Sequence, residues 1–108
     1  MSFANRASAK VFRDKLEIPV IQGGMGVGIS MGKLAGSVAA CGGMGVISTA
    51  LIGFREEDFY QNHVEADGRA LRKEIQIAKE IANGRGMIAI NAMTVTTDYR
   101  ECIEAAVR

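Results

Sequence analysis

Four glycines in six positions, Gly23, Gly24, Gly26 and Gly28, with Met25 among them, are the stretch of this chain best suited to chemistry. Ile18, Val20 and Ile21 precede them, a short β-branched run that predicts a strand buried on both faces, as in a parallel sheet. Without Cβ atoms, the loop after it can take positive φ and lets a planar ligand reach its peptide N–H groups. Ser30 is placed to cap a helix running through Leu34 and Val38 to Cys41. Further candidates are Gln22 at the strand's end, Ser48 and Thr49 after a second apolar run, Asn91 inside a third, the single histidine His63, and two cysteines.

Two phosphate-binding patterns fail on this loop. The dinucleotide fingerprint G-x-G-x-x-G needs a third glycine where Ile29 or Met31 stands. Gly32-Lys33 resembles the end of a P-loop, but Val27 replaces its first glycine and Leu34 its Ser or Thr. What remains is a loop for close backbone approach with no phosphate cradle of its own.

The elements that must position these residues alternate between β and α. The first helix carries a narrow face of Leu34, Ala35, Val38, Ala39 and Cys41, and Gly42-Gly43 ends it. A second strand covers residues 44–48, where Gly45 leaves room at a barrel interior or beneath a ligand. Residues 50–68 are long for a plain βα loop and hold Phe54, the charged group Arg55, Glu56, Glu57 and Asp58, then Phe59, Tyr60 and His63, so a short helix beside the mouth is expected. From Asp67 a helical pattern places Leu71, Ile75, Ala78, Ile81 and Ala82 on one face, stopped by Asn83-Gly84. A third strand runs over residues 87–93, with Ile88 and Ile90 toward the helices and Ala89 and Asn91 toward the other face, or the reverse if the register is shifted by one. Thr94 to Thr97 form a loop, Asp98 and Glu101 make a capping-box start, and Tyr99, Cys102, Ile103, Ala106 and Val107 fit a last helix. Residues 1–17 are a weakly patterned lead-in, expected to cover the bottom of the fold. The βα units fall near 18–42, 44–84 and 87–108, which is α/β organisation on one parallel sheet.

Composition narrows the function classes. A net charge of +1 with both signs scattered gives no basic stripe for nucleic acid. No apolar run approaches the ~18 residues of a membrane span, and the first residues lack the apolar core of a signal peptide. Cys41 and Cys102 stand in different units without a C-x-x-C, which points to a reduced, cytoplasmic chain with both thiols inert on apolar helix faces. No set of residues has metal-ligand spacing.

Three blocks carry a resemblance to a known family. Pro-Val-Ile-Gln-Gly-Gly-Met at residues 19–25, Leu-Ala-Gly-Ser-Val-Ala-Ala-Cys-Gly-Gly-Met-Gly-Val-Ile-Ser at 34–48 and Ile-Ala-Ile-Asn-Ala-Met at 88–93 together resemble the amino-terminal part of the nitronate monooxygenases, formerly 2-nitropropane dioxygenases. The family also contains FMN-dependent enoyl-acyl-carrier-protein reductases. The resemblance implies a (β/α)8 TIM barrel, of which a chain of 108 residues holds the first three βα units, since such barrels need about 250. It implies FMN as cofactor, with Gly23, Gly24, Met25 and Asn91 on the flavin ring and Gln22 as a further candidate. In the family the Met25 N–H lies against the ring near N5, and the third-strand Asn hydrogen-bonds it.

Each of these residues also has a structural reading. Gly23, Gly24 and Gly26 can make a tight turn, and Met25 can be core packing. Gln22 can be a buried amide satisfied by neighbouring backbone. Asn91 can pair with an adjacent strand or loop; unpartnered burial there costs on the order of 1–3 kcal/mol. Ser48 and Thr49 suit a cap or turn better than a ligand site. His63, in a polar insertion, reads as solvated rather than as a catalytic base. The family's histidine follows a Gly-Gly pair well beyond the third unit, and its phosphate loops come late in the barrel. No catalytic residue is therefore expected in this stretch, and the chain alone should have negligible FMN affinity and no turnover. The expected parent is an FMN-dependent nitronate monooxygenase acting on alkyl nitronates with dioxygen, completed by the rest of the barrel from the same or another chain. The alternatives are an FMN-dependent reductase of enoyl thioesters and a non-catalytic half-barrel module that acts through assembly.

Overall fold

Two five-residue runs entered from glycine, Met44–Ser48 and Met87–Asn91, pair as a parallel two-stranded sheet. The computed structural model describes residues 14–93 and 99–107. Among them the chain is an α/β domain in the order α1 (Gly32–Ala40), β1 (Met44–Ser48), α2 (His63–Ala82), β2 (Met87–Asn91) and α3 (Tyr99–Val107). The register runs from Met44 opposite Met87 to Ser48 opposite Asn91. The loop at residues 94–97, Asp98 with its capping box and residues 1–13 of the lead-in lie outside the described residues.

Alternation along the strands decides which face is the core. Ile47 is fully buried and shares one cluster with Ala35, Ile52, Ala70, Leu71, Ala78, Cys102 and Ala105, against which Ile88 and Ile90 also pack. The helices therefore cover the Gly45, Ile47, Ile88 and Ile90 face, and Ser48 and Asn91 belong to the other. Gly45 sets how closely α1 approaches, because a Cβ there would overlap the Ala35 carbonyl. Its bare α-carbon serves helix packing, which corrects the expectation of room at a barrel interior or beneath a ligand.

The first expected strand is reduced to a single bridge. Ile21 pairs with Met44 in parallel, the Met44 N–H donates to the Val20 carbonyl at 2.9 Å, and the Gln22 N–H donates to the Met44 carbonyl at 3.0 Å. The extended segments thus lie side by side in chain order. The first is not buried: Ile18, Val20 and Ile21 are 45, 52 and 58% exposed, since nothing among the described residues packs on their outer side.

The helices also depart from their expected faces. In α1 the buried residues are Gly32, Ala35, Gly36 and Ala39, while Leu34 and Cys41 are exposed. Small residues win this face because α2 lies so close that a Cβ at Gly36 would meet the Ala78 backbone. Cys41 follows the last turn, so the expectation of a buried thiol holds for Cys102 alone. Helix α2 starts at His63, four residues before the clear periodicity, and ends as expected at Asn83, whose φ of 50° is left-handed. Residues 50–61 form successive turns instead of the expected short helix. No helix among the described residues is long and apolar enough to cross a membrane.

Candidate functional site

The carboxyl end of the sheet is organised by Gln22. In a parallel ladder the peptide groups after Gln22 would next pair with Val46. The Gln22 side chain takes that place: the Val46 N–H donates to Oε1 at 3.1 Å, and Nε2 donates to the Val46 carbonyl at 3.1 Å. A carboxamide has the donor and acceptor of a peptide. The main chain is thereby released from β1 at Gly23 and returns at Ser30, whose carbonyl accepts the Ser48 N–H at 2.9 Å.

Ser30 closes the loop from inside. It is fully buried, and its Oγ accepts the Met25 N–H at 2.8 Å and a Gln22 Nε2 hydrogen at 3.0 Å, with the Gly23 carbonyl 3.5 Å away. Its carbonyl and hydroxyl are thus committed to the loop and to β1. The N-cap position of α1 falls to Met31 and has no side-chain cap, which corrects the capping role expected of Ser30. The N–H groups of Gly23, Gly24 and Gly26 donate to nothing among the described residues.

Gly24 meets Asn91. A Cβ on Gly24 would stand 2.8 Å from both the Asn91 Cβ and Nδ2, so the Asn91 side chain packs against the bare α-carbon. A Cβ on Gly26 would stand 2.9 Å from the Ala50 Cβ and 3.1 Å from the Ser48 Oγ, and one on Gly23 would meet nothing within 4 Å. Thr49 fixes the strand ends by donating its N–H and Oγ1–H to the Asn91 carbonyl, each at 3.1 Å. Asn91 is exposed rather than buried, so its carboxamide carries no burial penalty; that group has no partner among the described residues. Met25, next in the chain after Gly24, is 46% exposed. The structure therefore brings Gly23, Gly24, Met25 and Asn91 to one end of the sheet, with Gln22 beneath them, its amide satisfied by protein groups.

His63 is elsewhere. It opens α2, is exposed, and shares a surface hollow with Gln61, Asn62, Val64 and Glu65, its ring edge-on to Phe59 at 6.4 Å. The charged insertion is tied down instead by α2. Arg69 bridges Glu56 and Asp58, and the Lys73 ammonium reaches Glu56 at 3.0 Å. Hydrogen bonds from Lys73 and from Arg69 hold the Glu56 and Asp58 carboxyls, respectively, below the usual carboxylate range. Asp67, 1% exposed, accepts the Gly53 N–H at 2.7 Å and anchors the same insertion. The sequence offers Ser30 only as a helix cap and Asp67 only as the start of a helical pattern; the signals for their buried roles were a serine just past the glycine run and an acidic residue on an otherwise apolar helix face.

No group of three or more His, Cys, Asp or Glu among the described residues is arranged to hold a metal ion. Compared with protein-family models, with curated proteins and with solved structures, the chain finds no match in any of the three.

Proposed function

We propose that this chain supplies the ring-facing wall of an FMN site in an oxidoreductase of nitronate monooxygenase type, its βα units being the amino-terminal part of a TIM barrel. One observation supports the reading above the others: Gly24 and Asn91, separated by most of the chain, are in contact at the carboxyl end of the sheet. That is where parallel α/β folds keep their ligands. The residues fit a flat heteroaromatic group. Gly23 has open space over its α-carbon, the Gly23 and Gly24 N–H groups meet no acceptor among the described residues, and the Asn91 carboxamide offers one donor and one acceptor to a ring edge.

FMN, when bound, supplies the redox chemistry, taking electrons from an alkyl nitronate and passing them to dioxygen with release of a carbonyl product and nitrite. The chain's own residues bind and orient. Gly23 and Gly24 present bare backbone to the ring face, the Met25 side chain flanks it, and Asn91 fixes its rotation. No acid, base or nucleophile of this stretch is assigned to the reaction.

The experiment is a pair of assays on protein purified from its natural source: alkyl nitronate with dioxygen, and reduced nicotinamide with an enoyl thioester. Flavin absorbance with nitrite release is the expected result. Enoyl reduction without nitrite release transfers the assignment to the reductase branch, and colourless protein overturns both in favour of a non-catalytic module.

A further inference from the structure

The loop's shape is held by two side chains that do not face a ligand. We propose that Gln22 and Ser30 are positioning residues that keep residues 23–26 off the sheet, turning the Met25 N–H inward and leaving the Gly24 N–H as the donor offered to a ligand. The inference rests on the flavin-site reading for the ligand's identity but not for the loop's geometry. Its first support is the ladder substitution: both Val46 peptide groups that would capture the Gln22 carbonyl and the Gly24 N–H are occupied by the Gln22 carboxamide. The second is Ser30, buried completely, whose hydroxyl accepts the Met25 and Gln22 hydrogens and directs its own proton at the Gly23 carbonyl. A hydroxyl has one proton and two lone pairs, and all are used. The Met25 amide, the donor that the family resemblance assigns to the ring, is therefore engaged inside the loop, and the neighbouring Gly24 amide is not.

Removing the carboxamide has a consequence that loss of packing alone does not. With Gln22→Ala the main chain can zip onto β1, and the Gly24 N–H then pairs with the Val46 carbonyl. Residue-resolved amide exchange on the full chain tests this. In the unmodified chain, Met25 and Val46 are expected to exchange at least about tenfold more slowly than Gly24, relative to their intrinsic rates. In Gln22→Ala, Val46 stays slow and Gly24 becomes slow; in Ser30→Ala, Met25 becomes fast. Met25 exchanging as fast as Gly24 in the unmodified chain overturns the proposal even if neither variant folds. So does a folded Gln22→Ala variant in which Gly24 stays fast. Should the protein from its natural source prove colourless while the exchange pattern appears as stated, the flavin reading fails and the positioning roles stand.

Discussion

At Gly24 a single missing methyl group decides whether the loop and the third strand segment can touch. Gly24→Ala puts a carbon 2.8 Å from the Asn91 Cβ, which is fixed to the strand backbone and cannot swing away as a side-chain tip could. The loop must lift instead, so faster exchange of the Met25 amide, bonded to Ser30 in the unmodified chain, is the expected outcome. Asn91→Ala is the contrasting change. Its carboxamide is exposed and has no partner among the described residues, so urea unfolding should move by no more than about 0.5 kcal/mol while the flavin content of the completed protein falls. A large loss of stability in Asn91→Ala makes the residue structural and removes the ring contact from consideration. At this scale the sequence carried the residue types but not their partners. Gln22 and Ser30 were visible as polar groups flanking a glycine run, yet their mutual bond and their bonds to Val46 and Met25 depend on where β1 lies, which neighbouring residues do not encode.

Between elements, close approach of backbone does the work that bulky side chains do elsewhere. Helix α1 rests on β1 through Gly45 and on α2 through Gly32 and Gly36, so the packing has little room for an added carbon. Gly45→Ala is expected to destabilise by about 1–3 kcal/mol or more, since the new Cβ meets the Ala35 carbonyl rather than a movable side chain. Chemical denaturation reads this, and an unchanged midpoint shows that α1 does not lie where it is described. The insertion between β1 and α2 obeys electrostatics instead. Lys73 and Arg69 lower the Glu56 and Asp58 carboxyls below their unfolded values, so the anchoring is complete above the ordinary carboxylate range and fades as pH falls through the depressed folded values. Relative to intrinsic rates, exchange at residues 50–61 should therefore rise on acidification below the ordinary carboxylate range and, because the pairs are partly exposed, also in 1 M salt. Insensitivity to both would mean that Asp67 alone holds the insertion. Element order, the α2 stop at Asn83 and the inward faces of Ile88 and Ile90 were legible because periodicity and left-handed caps are local signals. The buried face of α1 was not, since glycine and alanine carry almost no hydrophobic signature and win it only through proximity to α2.

Across the whole molecule, what the sheet lacks matters as much as what it has. One side of the extended order is the segment at residues 18–22, the other is β2, and neither outer edge has a partner strand among the described residues. Ile18, Val20 and Ile21 present about half of their surface on the first side. Exposed apolar surface beside unpaired backbone groups is a template for pairing with another chain. A second copy meets that template at the same edge, so the isolated chain is expected to self-associate as concentration rises, with mass measured by light scattering on the eluting peak. The comparison that isolates the cause is Val20→Lys. Val20 is 52% exposed and its carbonyl accepts the Met44 N–H through the main chain, so lysine keeps the bridge, adds a solvated charge at the edge and opposes pairing. Lower mass at equal concentration with an unchanged unfolding midpoint is the expected outcome. A chain that stays monomeric before the substitution, over a wide concentration range and without binding an apolar dye, has that edge covered by its own residues. In that case the need for a completing polypeptide, on which the barrel proposal partly leans, is gone.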